Sequence, residues 1–148
     1  MWTFLAPGTH SVTDISGMGL FGSGPQTLVS YYAFRFVAAG TYGYVDPGSG
    51  ANATVMVPVS AMPPSGGLST TFTITWSATS APQGYVFDVQ IARPGSLFFV
   101  AWKSGVTQPS ATFKPDGGTG TYSFRARFRS TSNGAHSGWS STASIKVS

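Results

Sequence analysis

The chain has no cysteine and no glutamate, and its 148 residues contain only four carboxylates, Asp14, Asp46, Asp88 and Asp116. Without a thiol there is no disulfide, no thiol nucleophile and no thiolate ligand for a metal. A glycosidase needs two carboxyl groups facing each other across one bond. Asp88 falls on a strand pattern among core residues and Asp116 precedes Gly117-Gly118 as a turn former, so no such pair stands out. Histidine is as scarce, with His10 and His136 alone, and His136 lies in the hairpin-loop stretch Asn133-Gly134-Ala135-His136-Ser137. No Gly-x-Ser-x-Gly elbow joins a strand to a helix. Catalysis is therefore not expected. No run of about 18 apolar residues is present to span a bilayer as a helix, and Met1 to Gly8 lack the basic and apolar regions of a signal peptide. Charged residues make up only 8%, and the net charge of +4 comes from eight Lys and Arg. Nucleic-acid binders concentrate such residues in a stripe. The one stripe here is Arg125, Arg127 and Arg129, which has a structural explanation below, so nucleic acid is not expected as a partner.

What is abundant points to a folded, β-rich chain. Hydrophobic residues reach 41% and aromatics 14%, well away from the composition of disorder. Nineteen Gly and ten Pro mark frequent turns between short strands. Sparse charge with plentiful Ser, Thr and Gly suits a bacterial protein that is secreted or displayed at the cell surface.

Residues 2 to 60 carry an ordered set of motifs. Thr9-His10-Ser11-Val12-Thr13-Asp14 is followed by Gly17-Met18-Gly19-Leu20-Phe21-Gly22-Ser23-Gly24, by an aromatic strand Tyr32-Ala33-Phe34-Arg35-Phe36, by a turn at Ala39-Gly40-Thr41-Tyr42, and by a closing strand from Ala53 to Val59. In order and spacing this resembles the carboxyl-terminal half of a cupredoxin, the plastocyanin and azurin family. The resemblance implies a β-sandwich that is incomplete at its amino-terminal end, because the family has further strands before its first histidine and only Trp2-Thr3-Phe4-Leu5 is present to supply one. Unpaired sheet edges and self-association through them would follow. It also implies copper, with His10 as the first ligand, and there the pattern breaks. Asp46 stands where the family has its cysteine, and Pro47 to Asn52 contain neither histidine nor methionine. A blue-copper site needs two imidazoles and a thiolate, so no cofactor is expected. His10 and Asp46 are the candidate pair for a divalent ion, and copper-dependent electron transfer is the alternative function.

A second unit is expected from residue 63. Ala61-Met62-Pro63-Pro64-Ser65-Gly66-Gly67 suits a short linker or the start of a new sandwich. Strands are predicted at Thr71 to Trp76, Tyr85 to Ile91, Phe98 to Trp102, Ser110 to Phe113, Thr121 to Arg129 and Ala143 to Val147. Period two turns Phe72, Ile74 and Trp76 to one face, and likewise Tyr85, Phe87, Val89 and Ile91. On Tyr122-Ser123-Phe124-Arg125-Ala126-Arg127-Phe128 it turns the aromatics inward and Arg125, Arg127 and Arg129 outward. Strand number and turn spacing resemble a fibronectin type III domain. Ser137-Gly138-Trp139-Ser140-Ser141 is similar to half of the Trp-Ser-x-Trp-Ser motif of cytokine-receptor members of that fold, which implies a Trp139 ring laid over Arg125 and Arg127.

The expected whole is all-β: two Greek-key β-sandwich domains, residues 1–62 partly cupredoxin-like and 63–148 fibronectin type III-like. Its expected work is binding, spacing or surface presentation, with a protein or a glycan as partner. Carbohydrate binding is a further alternative, for which Trp102 and Tyr31 are the candidate sugar-facing rings. Asn52-Ala53-Thr54 fits a glycosylation sequon that matters only in a secretory-pathway host.

Overall fold

The computed structural model describes residues 1–148 and is all-β. The first region holds β1 (Trp2–Phe4), β2 (Thr13–Asp14), β3 (Ser30–Tyr32), β4 (Gly40–Val45) and β5 (Asn52–Val57). The second holds β6 (Ser60–Met62), β7 (Ser65–Gly66), β8 (Phe72–Thr75), β9 (Tyr85–Ala92), β10 (Val100–Val106), β11 (Ser110–Phe113), β12 (Gly120–Ser130) and β13 (Ala143–Val147).

From Ser60 onward, large apolar residues recur at every second position, and each run becomes a strand with one face on the core. One sheet has the order β11-β8-β6 and the other β10-β9-β12-β13-β7. Chain neighbours β8 and β9 thus lie in opposite sheets, as in a Greek-key sandwich. Phe113 of β11 packs its ring against Tyr122 and Phe124 of β12, joining the two sheets. The Tyr122 hydroxyl donates to the Gly118 carbonyl and accepts from the Gly117 N–H, both at 2.8 Å. That bond closes a corner at which Gly118 takes a positive φ of 81°.

The Pro63-Pro64 stretch passes from one sheet to the other: β6 before it pairs with β8, and directly after it β7 pairs in parallel with β13. The strand expected from Phe98 begins instead at Val100 and runs to Val106. A turn occupies the residues before it, with the Ser96 N–H donating to Arg93 O and the Phe98 N–H to Ser96 Oγ.

The first region is less regular. β1 pairs with β3, and β4 is the centre of a β2-β4-β5 sheet. Ala39 to Tyr42, expected as a turn, thus opens strand β4 (Gly40–Val45), as suits its Thr, Tyr and Val. The aromatic strand expected at Tyr32 to Phe36 pairs only as far as Tyr32. Phe34 and Phe36 leave the sheet to stack with Phe21, and Trp2 stacks on Phe21 and Tyr32.

The cores of the two regions are continuous. One cluster of 22 buried residues runs from Phe4 to Val147 through both. Backbone bonds seal the seam: Ala39 N–H to Trp76 O at 2.7 Å, Ala78 N–H to Val37 O at 2.9 Å, and a reciprocal pair between Thr41 and Gly138 at 3.0 and 2.8 Å. Tyr42 is buried at this junction, where its hydroxyl donates to Ala38 O and burial pushes its pKa up.

Candidate functional site

The outer face of the five-stranded sheet carries a row of three arginines. On β12, Arg125, Arg127 and Arg129 alternate with buried residues, so all three guanidiniums share the solvent side. The register with β9 places Arg125 opposite Gln90 and Arg127 opposite Asp88. Arg127 Nε donates to Asp88 Oδ2 at 3.1 Å, and Arg129 donates to both Asp88 oxygens at 2.8 and 3.1 Å. The Gly105 N–H adds a fourth bond at 3.0 Å. Burial pushes the Asp88 carboxyl up, but donation from Arg129, Gly105 and Arg127 outweighs it and leaves the pKa at about 2.

Arg125 has no carboxylate partner. Its Nε and Nη2 donate to Gln90 Oε1 at 2.9 and 2.7 Å, and its guanidinium lies 4.2 Å from the Phe99 ring centre. Trp139 covers the row from above, 4.9 Å from Arg125 and 4.8 Å from Arg127. Each such contact contributes about 0.5–1 kcal/mol.

Serine chemistry positions that tryptophan. The N–H groups of Ser137 and Ser140 donate to the carbonyls of Phe128 and Ala126 at 2.9 and 2.8 Å. In return, Ser137 Oγ and Ser140 Oγ accept the Phe128 and Ala126 N–H groups at 3.1 Å. The loop therefore hydrogen-bonds along the edge of β12 as a strand would, with Gly138 and Trp139 looping out between its two anchors. Thr41 fastens the same loop to the first region, its Oγ1 donating to Trp139 O at 2.9 Å.

A shallow cleft of about 360 Å³ opens beside this row, lined by Asp88, Gln90, Lys103, Arg127, Arg129 and Trp139 among others. Along the row three cations, Arg125, Arg127 and Arg129, face one carboxylate.

A second cluster sits in the first region. His10 Nδ1 meets Asp46 Oδ2 at 2.7 Å, and His10 Nε2 meets the Pro7 carbonyl at 3.2 Å. Carboxylate and carbonyl both accept, so the ring that satisfies both is the doubly protonated imidazolium. The bonds to Asp46 and Pro7 accordingly raise the His10 pKa above 6.5. Asp46 also accepts from Ser11 N–H, Ser49 hydroxyl and Gly48 N–H, and these donors with His10 hold its carboxyl well below the usual range. No three His, Cys, Asp or Glu side chains lie together in a metal-binding group. With neither ring nitrogen offering a lone pair and no thiolate present, this donor set does not fit blue copper.

The candidate sugar-facing rings lie apart. Trp102 packs edge-on against Trp76, Phe113 and Phe124 at the margin of the core. Tyr31 stands 72% exposed on β3, outside the ring stack formed by Trp2 and Tyr32. Asp88, Gln90 and Phe99 were missed as site residues. Period two on β9 already carried the signal for the first two, since Phe87, Val89 and Ile91 facing inward require Asp88 and Gln90 to face outward beside the arginines.

No protein-family model matches the chain, and no curated protein matches it. Among solved structures it is similar to the fibronectin type III domain of human fibronectin type III domain containing protein 3. The identity is 14%, the match covers 80% of this chain and 90% of that one, and the TM-score is 0.45. The sandwich assignment stands on the strand pairing itself.

Proposed function

We propose that the chain is a non-catalytic binding and spacer module, carried by a protein outside the cell or on its surface. The observation that carries the non-catalytic part is that all four carboxylates are engaged within the protein. Asp14 accepts from Ser16 and Leu20, Asp46 from His10 and its loop, Asp88 from Arg127 and Arg129, and Asp116 from Arg93 through two bonds of 2.8 and 2.6 Å. A general acid or base has to exchange a proton with a substrate, and these groups are held as acceptors by their own neighbours. The spacer part is supported by the sealed seam and the shared core, which make one rigid body of the two regions. No helix is long and apolar enough to cross a membrane. Sparse charge with abundant Ser, Thr and Gly supports the placement outside the cell or at its surface.

In this reading residues 1–62 serve as scaffold, and their cupredoxin-like motif order is retained as architecture without the metal. Copper(II) dialysis followed by metal analysis and a visible spectrum tests that reading, beside a His10→Ala control. The expected result is no stoichiometric copper and no difference between the two proteins. One retained copper that disappears in His10→Ala overturns the scaffold reading and restores an electron-transfer role.

A further inference from the structure

We propose that the outer face of the five-stranded sheet binds an acidic polysaccharide, a chain of uronate-type sugars whose carboxylates meet Arg125, Arg127 and Arg129. The inference rests on the binding-module reading and names its ligand class. Charge comes first: Arg125, Arg127 and Arg129 form a row with Asp88 as its one carboxylate, so an anionic chain is attracted along it.

Preorganisation comes second. Each arginine is fixed at Nε, by Gln90 or by Asp88, and Arg125 and Arg127 are covered by Trp139. Nη1 and Nη2 of Arg127, Nη1 of Arg125 and Nη1 of Arg129 donate to no protein acceptor. Guanidinium forks held flat with open N–H groups match carboxylates in a plane, and little side-chain freedom is lost when one arrives.

Shape comes third. Alternate residues of a strand are about 6.6 Å apart, so the three arginines form a line of about 13 Å along a shallow groove. A linear polymer with repeating carboxylates fits that form. A protein partner fits it less well, because interface cores are depleted in charged residues. Single-stranded nucleic acid asks for free aromatic platforms, whereas Trp139 is covered by guanidiniums and Trp102 packs on the core. An anionic lipid surface would be met through the exposed Leu97 and Phe98, 93% and 79% accessible, but both lie in the turn before β10 and outside the cleft lining.

The test is calorimetric titration of the full chain with polygalacturonate at about 20 mM NaCl, where screening is weak. Fully methyl-esterified polymer, dextran sulfate and phosphatidylglycerol vesicles are run beside it. Polygalacturonate should bind and the ester should not, with the affinity falling about tenfold by roughly 0.3 M salt. Arg127→Gln should weaken binding by up to about fivefold, the factor for one exposed ion pair, while Asp88 keeps its bonds from Arg129 and Gly105 and a melting scan shows the variant folded. Equal binding of the ester, no binding of polygalacturonate, preference for dextran sulfate, binding confined to vesicles, or indifference of a folded Arg127→Gln variant would each overturn the proposal. Release of new reducing ends from bound polymer would overturn the non-catalytic reading and leave the binding face standing.

Discussion

Strand β12 alone sends Tyr122, Phe124, Ala126 and Phe128 into the core, and its sheet partners β9 and β13 meet it over most of its length. Residues 2–57 contain no strand longer than six residues, and loops connect them over stretches as long as Ile15 to Val29. The aspartates show the same contrast. In the second region Asp88 and Asp116 pair with arginines across strands and turns. In the first, Asp14 and Asp46 gather backbone N–H groups and hydroxyls and so tie loops that no sheet ladder satisfies. One region is organised by periodic burial, and the other by local polar caps and an aromatic stack that leans on its neighbour. The first region therefore depends on the second for its core, while the reverse dependence is confined to the seam.

The strongest way to break this comparison is to damage the regular half. Phe124→Ala removes a fully buried ring and should cost about 3–5 kcal/mol. Calorimetry should show both regions melting earlier and together. A smaller change at the seam sharpens the point. A Cβ added at Gly40 would land on Ser137 Oγ, so Gly40→Ala should cost about 1–3 kcal/mol by overpacking. Adding Ser137→Gly should restore part of that loss, and a purely additive double variant would show that the two positions do not press on each other. Trp139→Ala removes the cover over Arg125 and Arg127 and should cost about 1 kcal/mol, read as a modest drop in melting temperature.

The smallest effect is confined to the first region and depends on pH. His10 is raised above 6.5, so its contribution is full below 6.5 and is lost as pH rises through the raised value. Asp46 is depressed below 3.8, so its contribution is full above 3.8 and is lost as pH falls toward the depressed value. The pair is strongest between those limits. NMR titration of the His10 ring should give a midpoint above 6.5, and Asp46→Asn should bring it down; a midpoint unmoved by Asp46→Asn would remove the pair from the account.

Legibility in the sequence followed the same division. Ser110 to Phe113 and Ala143 to Val147 were readable to the residue because alternation and turn residues agreed there. The stacking of Trp139 was readable from its Ser-Gly-Trp-Ser setting, although the serine bonds that cause it were not. Phe34 and Phe36 look like strand residues, and only tertiary contact with Phe21 and Trp2 shows that they belong to a ring stack. Ala39 to Tyr42 reads as a turn through the cupredoxin resemblance, whereas Gly40 allows close approach to Ser137 and the residues around it pair on both sides. Asp46 was compared with a missing metal ligand, and its use as a loop acceptor depends on backbone geometry that spacing alone does not specify.

The central claim is that the two regions share one core and form one cooperative body. Differential scanning calorimetry of the intact chain tests it directly through the ratio of van't Hoff to calorimetric enthalpy. One transition with a ratio near unity, displaced as a whole by Gly40→Ala, is the predicted result. Two transitions, with the first region melting alone and Gly40→Ala moving only one of them, would contradict it.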